Sequence, residues 1–486
     1  MNLYTNNLKN REFDKEAPQN FCLERATIAE RQGASEDENS GVKLTQSKTD
    51  SSGYLCIQPN QIIELHVERL GINGEGVAHF QGLTVFVDDA LPGERVKARI
   101  YEKRKTFARA KLVEILEESK ERVAPICPLF GTCGGCQIMH LKYEAQLGAK
   151  RQRVVDALER IGKIDGKLVA DCRASPLPLF YRNKIQLPVK EGKLGLYARH
   201  SHELVPIEKC YIHCALGEAV FEKIAPILKQ ENLKHVLIKT AVNTGEVLVV
   251  LVTRDEEISP GLAARLMKEA PEIKGVVQNV NPDAGNVVLS QDFRVLAGQG
   301  SIEEKIHGLI FKVSPASFFQ INPAQAENLY QQVVEDAELT GSEAVLDAYC
   351  GVGTLALILA KSAKEVIGIE NVQDATRDAA ENALANGIVN ARFICGEAEV
   401  KIQELEKVDV AVLNPPRKGC ERVFLEALIR LKPRRIVYVS CDPATLARDL
   451  QLLVSEGYQV DGVKPFDMFP QTSHVESVAK LTWKGL

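Results

Sequence analysis

What the chain lacks narrows it first. No apolar stretch approaches the ~18 residues needed to cross a bilayer; the longest, 247–252 and 355–360, are six residues each. A membrane-spanning segment is therefore not expected. The first thirty residues hold no continuous apolar core and carry acids from Glu12 onward, unlike a secretory signal, so the expected setting is cytoplasmic. Neither sign of charge is in excess: 60 Lys and Arg stand against 65 Asp and Glu, and a net charge of -5 gives no global attraction to nucleic acid or anionic membrane. Any polyanion must be met by a local patch. Aromatic residues make up only 6%, and with 45% hydrophobic and 26% charged residues the balance is that of a globular chain, neither fibrous nor wholly disordered. Cysteine is not scarce. Twelve cysteines without a signal segment point to metal binding or catalysis ahead of disulfides.

At 486 residues the chain is long enough for two to four domains of the usual ~150 residues. Residues 1–57 are polar, mixed in sign and without periodicity, and are expected to form a disordered extension. Over 58–118 short alternating runs separated by Gly-rich and Pro-Gly turns predict a small β-barrel. Its basic edge lies at 95–111, where Arg95, Lys97, Arg99, Lys103, Arg104, Lys105, Arg109 and Lys111 face the single acid Glu102. Residues 119–315 open with a cysteine knuckle at 127–136 and a helical stretch at 143–160. Strands then dominate, with one clear helix at 260–269, which predicts a central α+β domain. Over 316–486 buried-type strands at 344–347, 366–370, 392–395, 408–413 and 435–440 alternate with helices. The expected fold there is an α/β Rossmann-like domain with a mainly parallel sheet covered on both faces.

The first of those strands runs into Asp347-Ala-Tyr-Cys-Gly-Val-Gly-Thr354, and the next ends at Glu370. A glycine turn opening a helix lets backbone approach a ligand, and the acid is placed for ribose hydroxyls. On this motif alone a nicotinamide enzyme competes. The acid Asp347 before the turn, the strand ending in Asn414-Pro-Pro-Arg417 and the strand-end Cys441 fit S-adenosylmethionine-dependent methyl transfer better. Methylation of an exocyclic amine wants an aromatic residue after Asn-Pro-Pro, and Arg417 stands there instead. Cys441 lies at the carboxyl end of a strand just before a helix, and Glu476 follows a Pro-bounded loop in the same domain, so a nucleophile and a base are both available. Carbon-5 of uracil is a poor nucleophile, and its methylation needs a thiolate at carbon-6 and a base for the carbon-5 proton.

Five ordered blocks carry a resemblance: Ser317-Phe-Phe-Gln-Ile-Asn322, the 347–353 turn, Asn414-Pro-Pro-Arg-Lys-Gly419, Ser440-Cys-Asp-Pro443 and Thr472-Ser-His-Val-Glu476. With them, about 60–486 resembles the class I SAM-dependent RNA uracil-5-methyltransferase family, in its 23S rRNA branch. The resemblance implies a Rossmann-like catalytic domain, an OB-like TRAM barrel that binds RNA, and a cytoplasmic monomer acting on 23S rRNA. It implies Cys441 as nucleophile and Glu476 as proton acceptor, with Gln320, Tyr349, Gly351, Gly353, Glu370, Glu397 and Asn414 lining the S-adenosylmethionine pocket. It also implies a 4Fe-4S cluster on Cys127, Cys133, Cys136 and Cys210. Four thiolates suit zinc too, and Cys214 rivals Cys210 as the fourth ligand. The family usually has Asp at the position of Asn414. Phe318 and Phe319 are both expected in the core, with Phe318 a secondary candidate for a pocket wall. The competing readings are 5-methyluridine formation in tRNA and a non-catalytic RNA-binding assembly factor. A radical methylthiotransferase would need a Cys-x3-Cys-x2-Cys triad that is absent.

Overall fold

The computed structural model describes residues 57–283, 285 and 287–485. The expected extension falls outside these except for Ile57, which is buried in the core of the first barrel. That barrel is closed by strands Ile62–Leu70, Gly76–Phe80, Leu83–Asp88, Arg95–Lys103 and Phe107–Glu117. Alternation decides which side chains fill it: Ile63, Leu65 and Val67 point inward from the first strand, and Val96, Ala98 and Ile100 from the fourth. The intervening Arg95, Lys97 and Arg99 are thereby turned outward.

A seven-stranded sheet forms the middle of the chain, in the order Phe293–Gly298, Ile273–Val280, Glu246–Thr253, His235–Ala241, Lys184–Lys190, Lys193–Tyr197 and Leu204–Pro206. The apolar run at 247–252 is its fully buried central strand, which explains why the run does not alternate. Helix Leu262–Glu269 lies where periodicity placed it. A second helix, Ala215–Leu228, was not legible, because it carries Pro226 and its exposed stripe, Ala215, Ala219, Glu222 and Pro226, holds only one polar residue.

The C-terminal sheet has strands β1 (Ala344–Ala348), β2 (Glu365–Glu370), β3 (Ala391–Cys395), β4 (Val410–Leu413), β5 (Arg435–Ser440), β6 (Tyr458–Phe466) and β7 (Glu476–Trp483), in the order β3-β2-β1-β4-β5-β7-β6. The first five are parallel and β7 runs antiparallel to both its neighbours. Helix Thr354–Ala360 is buried on every residue between this sheet and helix Pro323–Ala337. The opposite face is covered partly from upstream. Val154, Val155 and Leu158, from helix Tyr143–Ala157 and the turn after it, pack with Leu446 and Leu450 of helix Pro443–Ser455. Val169 and Arg173 bridge to Val463 and Phe466 of β6. The catalytic core therefore draws on residues far upstream of position 316. Among the described residues no helix is long and apolar enough to cross a membrane.

Candidate active site

Parallel strands with helical crossovers bring their carboxyl ends to one edge, where open α/β sheets take ligands. The chain puts its motif residues there: Tyr349 to Gly353 follow β1, Glu370 ends β2, Glu397 follows β3, Asn414 follows β4 and Cys441 follows β5. The two turn glycines differ in kind. Gly353 (φ 81°) leaves no room for a side chain, since a Cβ there would lie 3.0 Å from both Ala379 Cβ and Phe393 Cζ. Gly351 (φ 56°) faces open space. Its N–H donates to Glu370 Oε2 (3.0 Å), and the Val372 N–H donates to Glu370 Oε1 (2.9 Å), so this carboxylate braces the turn.

Below the turn Asp347 is buried, with no donor in good hydrogen-bonding geometry to either carboxyl oxygen. Burial pushes it up to about 7, the nearby Ala356 backbone N–H pulls the other way, and the Glu370 charge adds to the rise. Tyr349, itself in the left-handed region (φ 65°), packs on Phe424 and donates to Glu399 Oε1 (3.3 Å). Glu397 is exposed at the start of the short helix Ala398–Lys401. The Asn414 N–H donates to the Ala348 carbonyl (3.3 Å), tying β4's end to β1.

Gln320 is buried and comes from a segment outside the sheet. Its segment is pinned by Asn183, whose Nδ2 donates to the Gln320 carbonyl (3.0 Å), and by Lys239, which donates to the carbonyls of Ser314, Pro315 and Ser317. The expectation that Phe318 is core is overturned: it is 69% exposed, while Phe319 packs against Phe311 inside. Two adjacent residues on an extended segment cannot both face inward, and Phe319 takes the inner place.

The β5–β7 register brings Cys441 and Glu476 together. Ser440 lies opposite Ser477 in an antiparallel ladder, so Cys441 and Glu476 are the next pair along it. Burial, then the Glu476 charge, push the Cys441 thiol up to about 11, and Arg417 pulls the other way. Glu476 is buried and pushed up to about 8, again opposed by Arg417. Arg417 thus serves both groups, a role that sequence reading missed. It comes from the loop after β4, and only the three-dimensional arrangement carries it to β5 and β7. His474, on the loop leading to β7, is pushed down to about 4 by burial and then by Arg417 and Arg153.

Beside this edge a cleft of about 460 Å³ opens between Gly74 and Arg109 of the barrel, Gly135 of the knuckle and His474 of the loop. On the barrel the Arg109 guanidinium lies over the rings of Phe86 (5.9 Å) and Phe107 (5.8 Å).

The knuckle thiols are close enough to act on one another electrostatically. Burial raises the proton affinity of Cys136, and the thiols of Cys210, Cys133 and Cys127 raise it further. Cys210 is pushed up to about 11, chiefly by burial. Cys214 does not join them. It precedes helix Ala215–Leu228 with its thiol beside Thr240 and Glu218. Among the described residues no group of three His, Cys, Asp or Glu side chains is arranged to hold a metal ion.

Comparison with known proteins agrees with this geometry. The profile of the tRNA (Uracil-5-)-methyltransferase family matches residues 284–484, and that of the TRAM domain matches 58–113. An uncharacterized RNA methyltransferase of Halalkalibacterium halodurans is 42% identical over 451 residues, covering 88% of this chain and 98% of its own. Another, from Clostridium acetobutylicum, is 42% identical over 446 residues, covering 87% and 97%. The crystal structure of Pyrococcus abyssi tRNA (uracil-54, C5)-methyltransferase in complex with S-adenosyl-L-homocysteine superposes with a TM-score of 0.71 at 28% identity, covering 86% of this chain and 99% of that one. The glycine turn at the carboxyl edge of the parallel sheet, the neighbouring Cys441 and Glu476 and these matches lead to one conclusion: the chain belongs to the SAM-dependent RNA uracil-5-methyltransferase family and carries a TRAM domain.

Proposed function

We propose that the protein methylates carbon-5 of a uridine in 23S rRNA, with Cys441 as nucleophile and Glu476 as base. The observation that carries the chemistry is the β5–β7 register, which sets the two groups side by side with Arg417 facing both. When bound, S-adenosylmethionine supplies an electrophilic methyl group. Gly351, with open space above it, Glu370, Tyr349, Glu397, Asn414 and Gln320 are the groups that would hold it. The Cys441 thiolate adds to carbon-6 of uracil, which makes carbon-5 nucleophilic toward that methyl. Glu476 then removes the remaining carbon-5 proton, and the carbon–sulfur bond to Cys441 breaks to release 5-methyluracil. Arg417 favours the thiolate and the carboxylate, the two charged states these steps need. A base buried in folded RNA would have to be flipped out, at a cost of a few kcal/mol offset by contacts in the cleft and on the barrel's basic face.

The ribosomal substrate rests on the barrel and the cysteine set, which the resemblance links to the 23S branch. Cys127, Cys133, Cys136 and Cys210 would hold a 4Fe-4S cluster as four thiolates; the influence of the other three thiols on Cys136, while Cys214 lies beside Thr240 and Glu218, supports that choice of ligands. No step of the methylation is routed through it. The resemblance implies that the enzyme acts in the cytoplasm as a monomer. A second reading, 5-methyluridine in tRNA, is favoured by the structural similarity to a tRNA enzyme. Transfer of labelled methyl groups to 23S rRNA and to tRNA from cells lacking the gene decides between them. Label mapping to a 23S uridine is the expected result, label in tRNA alone would replace the substrate, and no label in either would leave only an RNA-binding assembly factor.

A further inference from the structure

The loop between β6 and β7, residues 467–475, delivers Glu476 to the site yet has almost no regular structure of its own. Its placement must come from groups outside it. Tyr181, Asn322, Arg173 and Pro178 each hold it by one hydrogen bond, and one face of helix Tyr143–Ala157 supplies three side chains together. Gln146, Lys150 and Arg153 are spaced by four and three residues, which stacks them along a single stripe. Gln146 Nε2 donates to Gln471 Oε1 (3.0 Å), while Gln146 Oε1 accepts from the Gln471 N–H (3.1 Å). Lys150 forms an ion pair with Asp467 in which both side chains are almost wholly buried, and donates to the Phe469 carbonyl (3.1 Å). Arg153 donates to the Ser473 carbonyl (2.7 Å) and to the Ile72 carbonyl of the barrel (3.2 Å).

Gln471 is the hub of this arrangement. It adopts φ 69°, a left-handed backbone that a non-glycine residue holds only when its surroundings impose it. Its carbonyl also accepts the N–H groups of Gln137 and Ile138, directly after the cysteine knuckle (3.1 Å each). Burying the Lys150–Asp467 pair costs desolvation that its attraction barely repays, so stability alone gives little reason for it. Fixed geometry is what the pair provides.

We propose that the Gln146–Lys150–Arg153 face is a positioning element that holds the 467–473 loop so that Glu476 stays aligned on the carbon-5 proton. The inference rests on the reading of Glu476 as base. It follows that loosening this face slows proton removal more than the steps before it, because thiolate addition and methyl transfer depend on Cys441 and the β1–β4 edge. A shift of about 1 Å in a reacting group is worth about a hundredfold in rate, so partial loosening is measurable.

Arg153→Met on the full chain tests it, because Arg153 is only partly buried and the replacement keeps its length. Three quantities are read: turnover on uridine RNA, the rate at which 5-fluorouridine RNA is trapped, and the amount of methylated protein–RNA adduct at steady state. Turnover is expected to fall about tenfold, trapping to stay within about threefold, and methylated adduct to accumulate, with the KM for RNA within about twofold. Arg153→Lys, which can still reach the Ser473 carbonyl, should restore most of the turnover. Gln146→Met, of similar length, should repeat the pattern from the other end of the stripe. A loss confined to the KM for RNA would make Arg153 a phosphate contact and overturn the proposal, as would equal losses in trapping and turnover, or none. Glu476→Gln is the reference. If it turns over freely, the base assignment itself has failed. If it accumulates adduct and the helix variants do not, only the positioning role has failed.

Discussion

Arg417 ties the chemistry of Cys441 to that of Glu476, because its charge opposes the burial that raises the proton affinity of each. In the proposed mechanism both groups work deprotonated, so protonation inactivates them. With Glu476 near 8 and Cys441 near 11 in the free enzyme, kcat/KM is expected to rise steeply with pH up to about 8 and less steeply from there to about 11. Arg417→Gln removes the one opposing charge, shifts that limb to higher pH and should lower kcat/KM near pH 7 by about tenfold. A profile identical to wild type in the variant would show that Arg417 does not act on the pair. Asn414 is the second informative residue. At the end of β4 an amide keeps one acceptor where a carboxylate would offer a charge-assisted bond, a difference of about 1 kcal/mol. Asn414→Asp should therefore be at least as active as wild type in a methyl-transfer assay, and Asn414→Ala should lose about tenfold or more. Full activity in the alanine variant would remove Asn414 from the reacting groups. That Cys441 follows a strand and Glu476 a Pro-bounded loop was legible, whereas the placement of Arg417 and the outward-facing Phe318 was not. Both depend on which way a loop turns after leaving its strand.

The elements show where sequence patterns suffice. Alternation in the barrel strands and unbroken apolar runs in the parallel sheet record how many faces each strand buries, so both were readable. Helix Ala215–Leu228 was hidden by its internal proline and by an exposed stripe that is apolar apart from Glu222. The glycine turn after β1 gives a test at this scale. Gly353→Ala would force a Cβ against Ala379 and Phe393 at φ 81°, and should lower the melting temperature with a loss of about 1–3 kcal/mol. Gly351→Ala meets no protein atom. Its cost should appear as weakened binding of S-adenosylhomocysteine in calorimetry, with a stability loss of only about 1 kcal/mol. The reverse order of effects would mean that the open space above Gly351 is not where the methyl donor lies.

At the scale of the whole molecule, barrel, knuckle, helix Tyr143–Ala157 and catalytic sheet form one continuous body, joined by Arg153, Gln146 and the bridges to β6. Long-range packing of this kind leaves no trace in local sequence patterns, which is why the upstream helix read as part of the central domain. The cluster proposal is tested here too. Anaerobically prepared protein should be brown with about four irons per chain. Cys210→Ser should lose them while Cys214→Ser keeps them, and stoichiometric zinc without iron would refute the cluster. The central claim is covalent catalysis by Cys441, and one measurement reaches it directly. RNA carrying 5-fluorouridine at the target, incubated with S-adenosylmethionine and the wild-type enzyme, should give a denaturation-resistant adduct, because fluorine blocks the proton removal that releases the thiol. Mass spectrometry of that adduct should place the nucleotide on Cys441, and Cys441→Ala should form none. An adduct formed by Cys441→Ala at the wild-type rate, or mapped to another residue, would contradict the account.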